Sequence, residues 1–264
     1  MNHKKFARFI NGFYSVTVPV VALLVVWSSV CLISGIDAKL LPTPKIVFFS
    51  ILGMAQKGEL ACDVLASLRR VTCGFVLGAS FAIVFGWGTA TVKWLDITLG
   101  GIIQLIRPLP PISLVPIIIL WMGINEASKV FLVALGVFFP VWISTHLGIQ
   151  GVDQRYLWVA RVHGVSKWAT AFEVMLPAAM PTIVSGLRSS IATAFFCLVA
   201  AELAGAVHGV VFRINLSHLS FRTDKMLAGL VVLGVLSAIA DAIFAAIVRT
   251  LFPWLSAEKK AGGL

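Results

Sequence analysis

The chain has 264 residues, 59% of them hydrophobic and 12% charged, with a net charge of +10. Its mean hydropathy is +0.98, whereas soluble domains are roughly half apolar and a quarter charged, so an ordinary soluble domain is excluded. The basic residues stand at the edges of apolar blocks, where they meet lipid headgroups, and the positive balance is not a nucleic-acid signal.

The blocks are near 20 residues long, which as helix crosses roughly 30 Å of hydrocarbon. Six are read in chain order, so an all-α integral membrane protein is expected. The tail "HKKFARFI" leads into the first, about residues 16–35. No clean small-x-small cleavage pattern follows, so this run is read as a retained helix rather than a leader. "LLPTPKIV" (Leu40–Val47) then stops helix continuation with Pro42 and Pro44. An interfacial helix is expected after it, and the recurrence of Leu60, Val64 and Leu68 leads helically into the second span, about 68–90. That span carries Gly74, Gly78, Ala82, Gly86 and Ala90 four residues apart. A strip of small residues lets helix backbones approach closely, so it is expected to pack inside a bundle.

The third span, about 97–123, contains Pro108, Pro110, Pro111 and Pro116, and Arg107 lies ten residues beyond Ile97. In a straight helix that is roughly 15 Å, near the bilayer centre. Non-helical backbone at that depth persists only when buried in protein or lining a wet cavity, and an Arg there faces inward. Two readings stand side by side: Arg107 and Pro108 border a translocation path, or Arg107 caps carbonyls freed by the prolines. The fourth span is about 129–148, the fifth about 181–205 and the sixth about 226–249. In the fifth, Arg188 is read as reaching back to the headgroups, and Glu202 is placed near the interface as a second candidate for the path. Asp241 falls in the inner half of the sixth.

An even number of spans puts both termini on one side. Basic residues divide ten against nine between the two sides, so only the basic N-terminal tail favours placing the termini inside. Four cysteines lack CxxC or ligand spacing, the five histidines are dispersed, and no GxxxxGK[ST], HExxH or GxSxG occurs. No catalytic residue, cofactor or metal ligand is expected.

One polar segment, about 152–178, interrupts the apolar pattern. "RYLWVARVHGVSKWATAFEVMLPAAMP" (Arg155–Pro181) carries Arg155, Arg161, His163 and Lys167. Tyr156, Val159, Ala160 and His163 form one helical face, and Val165, Trp168, Ala169 and Phe172 another. The reading is two short helices turning at Gly164, the second stopped by Pro177, with Pro181 opening the next span. A helix that merely rests on lipid has no use for a central glycine, so docking into a partner's groove is favoured.

Here the sequence resembles the permease subunits of ABC importers of the taurine/alkanesulfonate/nitrate type. Their cytoplasmic signature is Glu-Ala-Ala, three residues, Gly, nine residues, Ile, one residue, Leu-Pro. Ala160 matches the second Ala, Gly164 the Gly, Val174 the Ile and Leu176-Pro177 the ending; Trp158 and Val159 depart from the Glu and first Ala. "LPTP", "IRPLPP", "LWMGINEASK", "VAAEL" and "RTDKMLAG" are similar to further family blocks, while the family's second Gly is missing around Gly209–Phe212.

The resemblance implies a type I ABC importer permease fold of six transmembrane helices with both termini cytoplasmic, in a bacterial inner membrane. It implies two ATP-binding subunits, a second permease copy in a homodimer, and a periplasmic or surface-tethered solute-binding protein. The coupling residues would be Val159, Ala160, His163, Gly164, Val165, Ser166 and Trp168. The implied solute is a small anion such as a sulfonate, taurine or nitrate, with aromatic carboxylates and heterocyclic vitamin precursors as alternatives. The rival classes are an ion-coupled secondary transporter working without an ATPase and a non-transporting membrane scaffold or sensor.

Overall fold

The computed structural model describes residues 3–33, 37 and 39–254. Among the described residues ten helices follow one another: α1 His3–Ile33, α2 Pro44–Gln56, α3 Glu59–Thr91, α4 Lys93–Ile106, α5 Pro111–Met122, α6 Glu126–Gln150, α7 Gln154–Val162, α8 Lys167–Leu203, α9 Val210–Leu219 and α10 Thr223–Leu251. No strand occurs among the described residues. Among the described residues four helices, α3, α6, α8 and α10, are long and apolar enough to cross a membrane, and the α4–α5 pair makes a fifth if it counts as one span. The apolar part of α1 is Thr17–Leu32.

The core is a three-helix contact of α3, α6 and α8. Val71, Ala79 and Ala82 from α3 meet Val133, Val137, Val141 and Trp142 from α6 and Ala194, Cys197 and Leu198 from α8. Lipid supplies no hydrophobic drive between such helices, so close backbone approach must hold them. The strip expected on the second span provides it. A Cβ on Gly74 would stand 2.7 Å from the Val133 Cβ, and one on Gly86 would stand 2.7 Å from the Thr145 Cβ. At Gly78 a Cβ would collide with the Ala134 backbone. On the α6–α8 side, Gly136 receives the Cys197 thiol and Gly186 receives Ser144.

The third span is broken, as its prolines require. α4 and α5 meet at an angle of 87°, with Arg107 as the last helical-geometry residue of α4 and Pro110 extended at ψ 126°. A corner replaces the straight rod assumed for the 15 Å depth.

Two expectations about the fifth span are corrected. Pro177 does not stop a helix, and Pro181 does not open one. α8 runs unbroken from Lys167 to Leu203. A π-helical stretch, Thr170–Met175, precedes Pro177, and widening the turn to i→i+5 bonding accommodates a residue that lacks its N–H. The coupling segment is thus continuous with a spanning helix.

α2 packs its Val47 and Met54 with Ala228 of α10, and Trp27 of α1 lies against the same cluster. Two further bonds tie this corner down: the Ser50 hydroxyl donates to Asp224 (2.8 Å) and the Thr223 hydroxyl to the Lys39 carbonyl (2.6 Å).

Candidate functional site

Three sets of polar or exposed residues stand out. The first is the elbow formed by α7, Gly164 and the start of α8. Asp153 caps α7 by accepting from the Arg155 N–H at 2.9 Å. At the other end the Val165 N–H donates to the Ala160 carbonyl (3.0 Å) and the Gly164 N–H to the Arg161 carbonyl (3.0 Å). That pair of bonds is a Schellman closure, which needs a left-handed residue at its second-to-last position. Gly164 supplies it with φ +68°, and a Cβ there would meet nothing within 4 Å. The glycine is demanded by backbone geometry alone. Ser166 then caps α8, accepting from the Ala169 N–H at 3.2 Å.

The elbow has a buried side and a bare side. Ala160 is buried, and Leu157 lies against Ile149, Val152, Ala179 and Ile183. Trp168 stacks on Phe172, and Phe172 stacks on Trp87 of α3 with centroids 5.7 Å apart. The other side shows Tyr156, Trp158, Val159, Val162, Val165 and Trp168 to solvent, with Val162 84% exposed and Trp168 76%. His163, Gly164 and Ser166 are exposed too. This corrects one expected face: Tyr156 and Val159 point outward while Ala160 points inward, because Ala160 shares its side of α7 with Leu157. Apolar area on this scale, without a cover in the chain, marks an interaction surface.

The second set lines a concavity of about 350 Å³ built by Arg107 and Pro111 from the α4–α5 corner, Gly136, Phe139, Pro140, Ile143 and Ser144 from α6, and Ser189 and Thr193 from α8. Pro108 sits exposed in the same corner. The reading of Arg107 as a cap for proline-freed carbonyls finds no such bond among the described residues; the Pro110 carbonyl accepts from Ser113 instead. Among the described residues the guanidinium is therefore uncommitted, and it shares the concavity with the Ser144 and Thr193 hydroxyls, while the Ser189 hydroxyl donates to the Gly186 carbonyl at 3.0 Å; a cation with hydroxyl donors suits an oxyanion.

The third set lies at the bundle end opposite the elbow and was missed by sequence reasoning as a group. Arg70 of α3 is 3% exposed and forks onto Glu126 (2.7 and 2.8 Å), while also donating to Glu202 (2.8 Å) and to the His208 carbonyl (2.7 Å). Glu202, 1% exposed, accepts from the Ser67 hydroxyl (2.6 Å) and from the Val211 N–H (2.9 Å). Asp63 accepts from the Gly209 N–H (2.9 Å) and Arg213 (2.7 Å). Any side chain on Gly209, at φ +142°, would overlap the Glu202 carboxylate. These bonds fasten the α8–α9 turn to α3. The interfacial position expected for Glu202 is corrected: it is buried and saturated, on a different set of residues from Arg107 and Pro108.

Arg188 is corrected as well. Instead of reaching to headgroups it forks onto Asp241 of α10 at 2.8 and 2.7 Å, a pairing that neutralises both charges within the spanning helices. At the elbow end, the buried His146 lies 3.1 Å from the Thr89 hydroxyl and 3.6 Å from Asp96, linking α6 to α3 and α4. No cluster of three or more metal-ligating side chains occurs among the described residues.

Comparison with known proteins agrees with this geometry. Residues 74–253 match the family described as "Binding-protein-dependent transport system inner membrane component". The chain is 34% identical over 232 residues to the putative aliphatic sulfonates transport permease protein SsuC of Bacillus subtilis, covering 88% of this chain and 84% of that one. It is 33% identical to the taurine transport system permease protein TauC of Escherichia coli, covering 88% and 86%. It is 31% identical to the nitrate import permease protein NrtB of Synechocystis, covering 92% and 90%. Among solved structures, an inward-facing MetNI methionine ABC transporter superposes with a TM-score of 0.64 at 16% identity, over 74% of this chain and 97% of that one, and that likeness speaks to the fold. A bundle of apolar helices, a broken third span and a glycine-cornered exposed elbow are thus found in a sequence that matches importer permeases over most of its length. The chain belongs to the family of binding-protein-dependent transport system inner membrane components, the membrane-embedded permeases of ABC importers.

Proposed function

We propose that this permease carries a small oxyanion-bearing solute, a sulfonate such as taurine first and nitrate second, through the concavity lined by Arg107, Ser144, Ser189 and Thr193. The observation that carries the reading is the uncommitted Arg107 guanidinium in the roughly 350 Å³ concavity. An anion crossing hydrocarbon must exchange its water for fixed donors, and a cation sharing its concavity with hydroxyl donors does that without holding a strongly charged ligand too tightly. The names of the relatives, for aliphatic sulfonates, taurine and nitrate, point to the same class.

The working unit is a homodimer of this chain with both termini and the elbow on the cytoplasmic side. Two separate ATP-binding subunits hydrolyse ATP, and a solute-binding protein delivers at the opposite face. Each elbow seats its Val159, Val162, Val165 and Trp168 surface, with His163, Gly164 and Ser166 at the corner, in a groove of one ATP-binding subunit. ATP binding draws the two grooves together. The Schellman closure keeps the elbow one body, the Trp168–Phe172–Trp87 stack passes displacement to α3, and the unbroken α8 passes it to Ser189 and Thr193. ATP and the loaded binding protein each bias one of two bundle arrangements by their differential affinity.

The test is the reconstituted complex in proteoliposomes, with binding protein loaded in turn with taurine, an alkanesulfonate and nitrate. One of these anions is expected to stimulate ATP hydrolysis and to accumulate inside. Arg107→Ala is expected to abolish uptake while insertion and basal hydrolysis persist. Uptake by the permease without ATP-binding subunits, or undiminished uptake by Arg107→Ala, contradicts the reading.

A further inference from the structure

A second concavity, of about 420 Å³, opens between α2 and the start of α10. One wall is apolar, with Ile46, Phe49 and Met54; the other is cationic, with Lys57, Arg222 and Lys225. Arg222 is paired with Asp224 (3.0 Å), and that carboxylate is shared with the Ser50 hydroxyl at 2.8 Å. Lys57 and Lys225 have no ion-pair partner among the described residues, so the groove holds an excess of positive charge. Its position is informative. Arg222, Asp224 and Lys225 stand where α10 begins and the apolar run of that helix starts at Met226, while Phe48 and Phe49 of α2 are exposed beside it, 57% and 58%. A site with two ammonium groups at headgroup level and aromatic and aliphatic walls reaching into the hydrocarbon fits an amphiphile with an anionic head.

We infer that the α2–α10 groove binds an anionic phospholipid, its phosphate between Lys57 and Lys225 and its acyl chains along Ile46 and Phe49. The site lies at the bundle end opposite the elbow, and it does not share a residue with the Arg107 concavity. It thus stands or falls independently of the solute assignment. Bound lipid would brace α2 against α10, a contact that the chain makes through the small buried patch of Val47, Met54 and Ala228.

The experiment is lipid titration of the full-length permease, delipidated in detergent, with bound lipids counted by native mass spectrometry. Phosphatidylglycerol is expected to be retained in preference to phosphatidylcholine, by about thirtyfold for two ammonium groups acting at the surface. Free glycerol phosphate is expected not to displace it, since the acyl walls contribute. Lys57→Gln with Lys225→Gln should bring phosphatidylglycerol down to the phosphatidylcholine level, and Lys57→Arg with Lys225→Arg should restore the preference. Lys57→Gln alone, at an exposed position past the end of α2, gives a partial loss without risk to folding. Equal retention of the two lipids, displacement by glycerol phosphate, or unchanged preference in the Gln variants overturns the proposal. So does loss of stimulation by the binding protein in those variants with lipid retention intact, which would make the groove a protein-docking surface.

Discussion

The two ends of this bundle treat polar and apolar groups in opposite ways. At the end opposite the elbow, Asp63, Ser67, Arg70, Glu126, Glu202 and Arg213 close on one another and on backbone N–H groups. Asp63, Ser67, Arg70 and Glu202 are each at most 3% exposed. At the elbow, backbone bonds are closed but the side chains are largely bare: Val162, Trp158 and Val159 face outward, and Trp168, stacked on Phe172 alone, is 76% exposed. A polar cluster that satisfies itself holds a turn in place, whereas a surface that fixes its backbone and leaves its apolar groups bare is prepared for another molecule. The consequence is that damage to the first should unfold the permease, and damage to the second should uncouple it.

Glu202→Ala is the strongest test of the first half. It leaves the Arg70 charge buried with one carboxylate removed and frees the Val211 N–H. Breaking a buried pair in this way costs about 3–5 kcal/mol, so the variant is expected to lose most monodisperse permease and to melt well below the wild type. The small-residue strip comes next. Gly78→Val drives a side chain into the Ala134 backbone, and overpacking of this kind costs about 1–3 kcal/mol; thermal unfolding in detergent reads it. At the elbow the costs shrink while the functional effects grow. Gly164→Ala meets no atom within 4 Å and carries only the left-handed backbone penalty of about 1 kcal/mol. Val162→Ser should change stability by less than about 0.5 kcal/mol, yet lower ATP-driven uptake and the affinity for the ATP-binding subunit. A folded but uncoupled Glu202→Ala, or an unfolded Val162→Ser, would blur the contrast between the ends.

Much of this was legible in the sequence where the governing pattern is local. Hydropathy marked the four long apolar helices α3, α6, α8 and α10, since about 20 apolar residues suffice. The four-residue repeat from Gly74 to Gly86 announced that α3 packs closely within the bundle, though not that α6 is its partner, and the prolines after Arg107 announced a break, though not its 87°. The glycine corner at Gly164 followed from period and spacing. Pro177 misled because a local rule gave way to a π-helical turn that keeps α8 whole. The polar lock was invisible for a different reason. Ser67 and Glu202 are 135 residues apart, and Arg213 and Asp63 are 150; no period connects them. The available signal was weaker: Arg70 and Glu202 each lie inside an apolar run near the same end of the bundle, and a buried charge must find its opposite. Arg188 and Asp241 followed the same logic across α8 and α10.

The central claim is that the Gly164 elbow is the joint through which ATP-binding subunits act on the bundle. The most direct measurement compares wild type with Gly164→Glu in proteoliposomes containing the complete transporter and loaded binding protein, scoring uptake together with the amount of inserted permease. The account predicts normal insertion, an unaltered melting profile within about 1 kcal/mol, and no uptake. Wild-type uptake by Gly164→Glu, with its bulky carboxylate at the corner, would contradict it.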